Sequence, residues 1–369
     1  MDTISIVGIG RLGICAALCF ANAGYSVVGV DINKEYVQKI NSKQFISDEP
    51  YVNAYLQSVN NFKASTNIID AINHSDYIYI IVDTPTTAQY NYDTKNLETV
   101  LMSLNSHKIE NKHIIIGCTV LPGYIDNKAK PFLSDCQNVS ISYNPEFIRQ
   151  GSIITDFQNP DMILIGQGCQ QVGDYLQLLY LSMCFNKPKI HRMSPSSAEI
   201  CKLAVNCFIT TKISYANMIG DIADQTPNAD KYDILQAVGD DSRVGSRCLT
   251  PGYGFGGPCF PRDNRALGYY ASLLGIKPLL PVATDEMNKL HTEYQTKKLL
   301  DQNKEKYIFS DLAYKPDCSV PIIEESQKLK IAVNLAKAGK KVIIHDYDSI
   351  VDVIKKEFGD LFDYQIIIS

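Results

Sequence analysis

One cysteine in this chain has neighbours that set it apart from the other ten. Cys259 lies in Gly252-Tyr253-Gly254-Phe255-Gly256-Gly257-Pro258-Cys259-Phe260-Pro261-Arg262-Asp263, where four glycines let backbone approach a ligand and two prolines flank the thiol. A thiolate is a good nucleophile, and nearby cations lower its pKa from ~8.5. Arg262 and Lys202 are candidates for that, and Asp263 supplies an acid four residues on. Glu199, Lys202 and Asn206 are spaced i, i+3, i+7, which puts all three on one face of a helix, a stripe that Thr210 and Asn217 continue. A solvated helix face has the same spacing, and Ile200, Leu203, Ala204 and Phe208 on the reverse face let the helix pack either way. A cysteine beside glycines can equally be structural.

Gly8-Ile9-Gly10-Arg11-Leu12-Gly13 is G-x-G-x-x-G set between the apolar run Thr3 to Gly8 and a helical pattern over Leu12 to Ala23. In that setting the first glycine makes the tight turn, the second admits a pyrophosphate, and the third allows close helix-strand packing. Asp31 closes the next strand, Ser26 to Val30, where a carboxylate accepts from a ribose 2′-hydroxyl and repels a 2′-phosphate. The implied cofactor is NAD; a tight turn without a ligand is the alternative. Thr84, Thr119 and the Asn144-Pro145-Glu146 run fall at the C-terminal ends of later strands, the edge where open α/β sheets bind ligands. A dinucleotide fold with a cysteine, a lysine and two acids suggests oxidation through a covalent thioester. A thiolate traps the aldehyde as a thiohemiacetal, which still bears a carbinol hydrogen, and water later releases the acid.

These groups need elements to hold them. Apolar runs at Tyr77 to Val82, His113 to Gly117, Val139 to Ser142 and Met162 to Ile165, separated by helical or polar segments, predict a doubly wound, mostly parallel sheet. A long helix follows over Ser196 to about Ala223, then a glycine-proline loop from Thr250 to Asp263, then helix from Arg265 to about Leu300. Lys306 to Leu312, Ser326 to Ala338 and Lys341 to His345 read as β-α-β, and Tyr364 to Ile368 is a final apolar run. The expected fold is α/β: an N-terminal Rossmann domain over 1–193, a central long-helix dimerisation region over 194–295, and a small C-terminal Rossmann-like domain over 296–369.

With 369 residues, 45% hydrophobic and 20% charged, the chain can bury a large core, which excludes disordered and fibrous classes. A net charge of −5 argues against nucleic acid or an anionic membrane as main partner. No window approaches the ~20 apolar residues of a membrane span, so a cytoplasmic protein is expected. The 11 cysteines are scattered, with no C-x-x-C pair, and predict neither a disulfide framework nor a metal site.

The motifs together resemble the UDP-glucose/GDP-mannose dehydrogenases, most closely the short bacterial-type UDP-glucose 6-dehydrogenases. They are GIGRLG, TPT at Thr84, CTVLPG, NPEFIRQG from Asn144, E-x-x-K-x-x-x-N from Glu199, D-x-R-V-G from Asp241, GFGGPCFPRD, and AYKP from Ala313, in the family's order. The resemblance implies four-electron oxidation of a sugar C6 alcohol with two NAD⁺ and one water. Cys259 is then the nucleophile, Lys202 and Asn206 stabilise the oxyanion, Asp263 and Thr119 manage a water, and Glu146 acts in thioester hydrolysis. It assigns the cofactor to Gly8, Gly10, Arg11, Leu12, Gly13, Asp31, Lys34, Thr84, Thr119, Glu146 and Arg262. It assigns the UDP-glucose to Asn144, Glu146, Phe147, Ile148, Arg149, Lys202, Asn206, Tyr253, Gly256 and Lys315, with Arg243 reaching a neighbouring subunit's sugar in a homodimer.

Arg262 stands where many members have lysine, and the family's R-E-S appears as Glu324-Glu325-Ser326. No arginine follows Arg265, so the usual C-terminal arginine contact to NAD is missing. GDP-mannose 6-dehydrogenase or another nucleotide-sugar dehydrogenase is the alternative. A non-enzymatic nucleotide-sugar binder and a two-electron β-hydroxyacid dehydrogenase are further ones: the first does not explain the retained catalytic set, and the second has no need of the cysteine loop.

Overall fold

A computed structural model describes residues 2–316, 318 and 320–367 of the chain. They form two compact units, Met1–Lys202 and Leu203–Ser369.

The first unit is built on eight strands: β1 (Thr3–Val7), β2 (Ser26–Val30), β3 (Phe62–Ser65), β4 (Tyr77–Ile80), β5 (His113–Ile116), β6 (Ser140–Tyr143), β7 (Met162–Gly166) and β8 (Lys189–Met193). Their spatial order is β3-β2-β1-β4-β5-β6-β7-β8. All pairs are parallel except β6 with β7, which meet antiparallel at Tyr143 and Gly166. Alternation along a strand sends successive side chains to opposite faces, and here both faces are dry. Ile6, Tyr79 and Ile115 enter one core, together with the Arg11–Asn22 helix, while Val7, Ile80 and Ile116 enter the other. That double burial explains the near-continuous apolar runs in the sequence.

Strand order reverses at β1, whose neighbours β2 and β4 are reached by connections running in opposite directions. Such a switch point leaves a crevice beyond the C-terminal strand ends. Gly8 follows β1 there and Thr84 follows β4.

The 30-residue helix Pro195–Asp224 begins in the first unit and continues into the second. The second unit adds the helices Lys231–Asp240, Phe260–Leu273 and Leu279–Asp301, then a parallel three-stranded sheet ordered β11-β10-β9. Its strands are β9 (Lys306–Phe309), β10 (Lys341–Asp346) and β11 (Asp363–Ile366). Ser326 caps the Gln327–Lys337 helix by accepting from the Leu329 N–H at 3.3 Å.

Three expectations change. The glycine-proline loop ends at Cys259, because Phe260, Pro261, Arg262 and Asp263 already form the first helical turn, with Pro261 where a missing N–H costs nothing. The helix expected from Arg265 to Leu300 is two helices, broken at Gly275 (φ +73°) and Pro278. Short β3 and β8, which carry half-exposed polar residues, gave no apolar run to read. The final apolar run extends to Ile368, which lies outside the described residues. Among the described residues no helix is long and apolar enough to cross a membrane.

Candidate active site

The glycine turn after β1 sorts its three glycines by cause. A Cβ on Gly8 (φ +90°) would sit 2.1 Å from the Ile81 carbonyl oxygen, and one on Gly13 would sit 1.9 Å from the Gly8 carbonyl oxygen. Those two are glycine because the protein leaves no room. Gly10 is exposed, at the N-cap of the Arg11–Asn22 helix, and a Cβ there would meet nothing within 4 Å. Open space over a helix N-terminus suits a pyrophosphate, so the residues fit a dinucleotide. Asp31 Oδ1 accepts from the Asn33 N–H at 3.0 Å, and Asn33 in turn caps the helix that starts at exposed Lys34. Arg11 reaches Glu49, 3.4 Å away, whose carboxylate also takes the Gly151 N–H at 2.8 Å. Leu12 packs against the core. Thr84 Oγ1 donates to the Thr119 carbonyl at 2.9 Å and joins two strand-end loops.

At the end of β6, Asn144 is buried and its amide donates to the Leu164 carbonyl at 2.8 Å. Glu146 Oε1 lies 3.2 Å from the Tyr79 hydroxyl and 3.1 Å from that of Tyr180. Burial pushes the Glu146 carboxyl up to about 7, against the opposing effects of the Tyr180 bond, the Lys202 charge and the Tyr79 bond. Lys202, itself buried, donates to the Glu146 backbone carbonyl and sits 4.4 Å from the centre of the Phe147 ring. Ile148 packs on the core, and exposed Arg149 pairs with Asp156 at 2.7 Å.

The polar helix stripe is buried rather than solvated, and its members have separate duties. Glu199 accepts from the Gly123 and Ile125 N–H groups at 2.5 and 2.9 Å, which ties the CTVLPG loop to the helix. Burial raises its carboxyl to about 7, and the Ile125 and Gly123 bonds oppose that. Further along, in the second unit, Asn206 Nδ2 donates to Asp263 Oδ2 at 2.7 Å, while Arg262 Nε reaches Asp263 Oδ1 at 3.2 Å. Both the Asn206 and Asp263 side chains are buried. Cys259 is exposed and occupies the N-cap of the Phe260–Leu273 helix.

The glycine loop is held by residues that sequence reasoning passed over. Asn288 accepts from the Phe255 N–H and donates to the Phe255 carbonyl, each at 2.9 Å. Asn217 accepts from the Gly252 N–H at 2.9 Å, and a His291 ring nitrogen lies 2.7 Å from the Gly252 carbonyl oxygen. Three of the loop glycines are again forced by packing. A Cβ on Gly254 would meet Asn288 Oδ1 at 2.1 Å, on Gly256 the Glu325 carbonyl oxygen at 2.4 Å, and on Gly257 (φ +81°) the Tyr314 ring at 2.3 Å. Gly256 is therefore buried against the chain, and Gly252 is the loop glycine with open space. Where the family has arginine, the Glu324 carbonyl takes the Gly257 N–H at 2.9 Å. Glu325 pairs with Arg265 at 3.0 Å and with Lys330. Arg243 is highly exposed and pairs with Asp241 at 2.7 Å. Tyr253 is half-exposed, and Lys315 sits 5.7 Å from the Tyr314 ring centre.

Neither Tyr79 nor Tyr180 could be found from sequence, because each looks like an apolar core residue of its own element. Among the described residues no group of His, Cys, Asp and Glu could hold a metal ion.

The profile of the UDP-glucose/GDP-mannose dehydrogenase family matches twice, its NAD-binding domain over residues 2–184 and its central domain over residues 196–290. UDP-glucose 6-dehydrogenase AglM of Haloferax volcanii is 28% identical over 382 residues, covering 98% of this chain and 86% of the relative. A GDP-mannose 6-dehydrogenase of Pseudomonas savastanoi pv. phaseolicola is 33% identical over 292 residues, 75% of this chain and 66% of the relative. The UDP-glucose dehydrogenase of Pyrobaculum islandicum superposes with a TM-score of 0.88 at 27% identity, covering 100% of this chain and 86% of that one. For the GDP-mannose dehydrogenase of Pseudomonas aeruginosa the TM-score is 0.60 at 26% identity, with 98% and 87% covered. Two family domains matched in order, over a sheet that builds the dinucleotide turn, establish that the chain belongs to the UDP-glucose/GDP-mannose dehydrogenase family of NAD-dependent nucleotide-sugar oxidoreductases.

Proposed function

We propose that the protein is a UDP-glucose 6-dehydrogenase, which converts the C6 alcohol of UDP-glucose to the carboxylate of UDP-glucuronate. The observation that carries the reading is the superposition over the whole chain on a UDP-glucose dehydrogenase at 0.88, against 0.60 for a GDP-mannose dehydrogenase. NAD⁺ supplies the hydride acceptor for both oxidations, so one alcohol, two NAD⁺ and one water become one carboxylate, two NADH and three protons.

In this reading Cys259 attacks the intermediate aldehyde, forming a C–S bond and an alkoxide. A helix N-cap favours the thiolate that this step needs. Lys202 and Asn206 stabilise the oxygen where charge develops. After the second oxidation a thioester remains on Cys259; water adds to its carbonyl, the C–S bond breaks, and the thiolate leaves. Asp263 and Thr119 orient that water, and Glu146 takes its proton. Gly8, Gly10, Gly13 and Asp31 hold the dinucleotide; Tyr253 and Lys315 hold the UDP-sugar; Arg243 reaches the partner subunit of a homodimer.

NADH stoichiometry tests the reading, with UDP-glucose, GDP-mannose and UDP-N-acetylmannosamine assayed in parallel. Two NADH per UDP-glucose is expected. One NADH, or turnover with another sugar only, overturns it. GDP-mannose is the second reading, favoured by the 33% identity to the Pseudomonas savastanoi enzyme.

A further inference from the structure

Behind the end of β6, two phenols, one carboxamide and one carboxyl meet in a buried cluster. The Tyr79 hydroxyl lies 2.5 Å from the Asn144 carbonyl oxygen and 2.8 Å from Asn144 Oδ1, and the Tyr180 hydroxyl lies 2.8 Å from the same Oδ1. Both stand farther from Glu146 Oε1, at 3.2 and 3.1 Å. Donation from Asn144 Nδ2 to the Leu164 carbonyl fixes which end of the amide faces the tyrosines. That end can only accept.

The two phenols are also within bonding reach of each other, and the short contacts to Asn144 favour one arrangement of the protons. Each phenol has a single O–H proton. Placed on the two oxygens of Asn144, these protons make the short contacts and turn phenol lone pairs toward Glu146 Oε1. A carboxylate oxygen there would face lone pairs, whereas a carboxyl O–H there has an acceptor. If Glu146 is ionised instead, one tyrosyl proton must swing away from Asn144 to reach Oε1.

We propose that Tyr79 and Tyr180 are positioning residues that let Glu146 take up and hold the proton that thioester hydrolysis sets free. A phenol oxygen accepts from the protonated carboxyl, and a phenol O–H turns to donate once that proton has left. In the step itself, water oxygen bonds to the thioester carbon, one water proton passes to Glu146, and the C–S electrons stay with the departing thiolate. The inference rests on the role given to Glu146 in the proposed activity.

The surroundings suit a store that works near neutrality. Lys202 is the cation facing Glu146 from the long helix, and the Cys19 and Cys184 thiols face it from the other elements. Burial holds both thiols, and both phenols, well above their ordinary values. The phenols therefore rotate their protons without losing them. Glu146, raised to about 7, is the group in the cluster that exchanges its proton in the working range.

Infrared difference spectroscopy of the full chain tests this without turnover. The protonated-carboxyl band that Glu146→Gln abolishes should titrate with a midpoint near 7 in the unmodified protein. Tyr180→Phe and Tyr79→Phe remove both the acceptor for the carboxyl proton and the donor to the ionised form; the bond to the charged form is the stronger of the two, so the midpoint should rise by about one pH unit. The acidic limb of single-turnover thioester hydrolysis should move with it, while the first oxidation keeps its profile. A band that titrates in the ordinary carboxylate range, or an unmoved midpoint in both Phe variants, overturns the proposal. The unmodified protein settles the first point even if a Phe variant fails to fold. Failure of the NADH stoichiometry would leave the infrared result standing, so the two ideas fail separately.

Discussion

Lys202 and Glu199 show how one helix stripe serves two ends. Lys202 brings a buried ammonium to the Glu146 backbone and the Phe147 ring, while Glu199 anchors the loop at Gly123. If Lys202 stabilises the oxyanion, Lys202→Met should lower kcat on the order of a hundred- to a thousandfold with a much smaller change in KM. Steady-state kinetics checks this; a loss confined to KM would refute the role. The two raised carboxyls also set how stability depends on pH. In the unfolded chain Glu146 and Glu199 titrate near 4.5, in the folded protein near 7, so between those values the folded state binds more protons. Stability is therefore fully present below about 4.5 and falls as pH rises to 7, by up to about 3 kcal/mol per group. Thermal midpoints across that window should fall with rising pH, and Glu199→Gln should flatten the slope. Cys259 and Asp263 drew notice in the sequence because they share one glycine-proline segment, although Asp263 is held by Asn206 from 57 positions earlier. Tyr79 and Tyr180 did not, because 101 positions separate them and the sheet brings them together.

At the scale of elements, the glycine turn separates demands of the fold from demands of a ligand. Gly8→Ala and Gly13→Ala force a methyl to 2.1 and 1.9 Å from backbone oxygens and should unfold the first unit or depress its melting temperature severely. Gly10→Ala meets nothing within 4 Å, so its melting temperature should stay close to that of the unmodified protein while NAD affinity drops. Calorimetry of the apo protein and NAD titration read the two effects separately. Equal affinity in Gly10→Ala would mean that the space above this turn is not where the pyrophosphate binds. The strand ends and the turn could be read from periodicity and glycine spacing. The start of the cysteine helix could not: the prolines and glycines before Phe260 look like a loop, and Pro261 is a helix-starting residue only once the turn is formed.

For the molecule as a whole, a doubly wound, mostly parallel sheet followed from the alternation of apolar runs, whereas the strand order with its reversal at β1 did not, and β3 and β8 are edge strands too polar to announce themselves. Assembly is where the second unit carries a visible signal. Phe208, Tyr215 and Ile222 recur every seven residues on the long helix, hence on one face, with exposures of 65, 44 and 54%. Burying exposed apolar area of this kind drives association. Light scattering should give a dimer, and Phe208→Asp with Tyr215→Asp should give a monomer; if Arg243 serves the partner's site as proposed, turnover should weaken with it. A monomeric parent protein would refute the homodimer.

The thiols offer a different use. Among the described residues Cys248 and Cys259 are the exposed cysteines. With Cys248 replaced by serine, a maleimide or chloroacetamide would meet one exposed sulfur, at the head of one helix, ahead of the half-buried ones. Mass spectrometry would then count competent centres in a preparation, and small electrophiles screened by that same mass shift would become a route to covalent inhibitors.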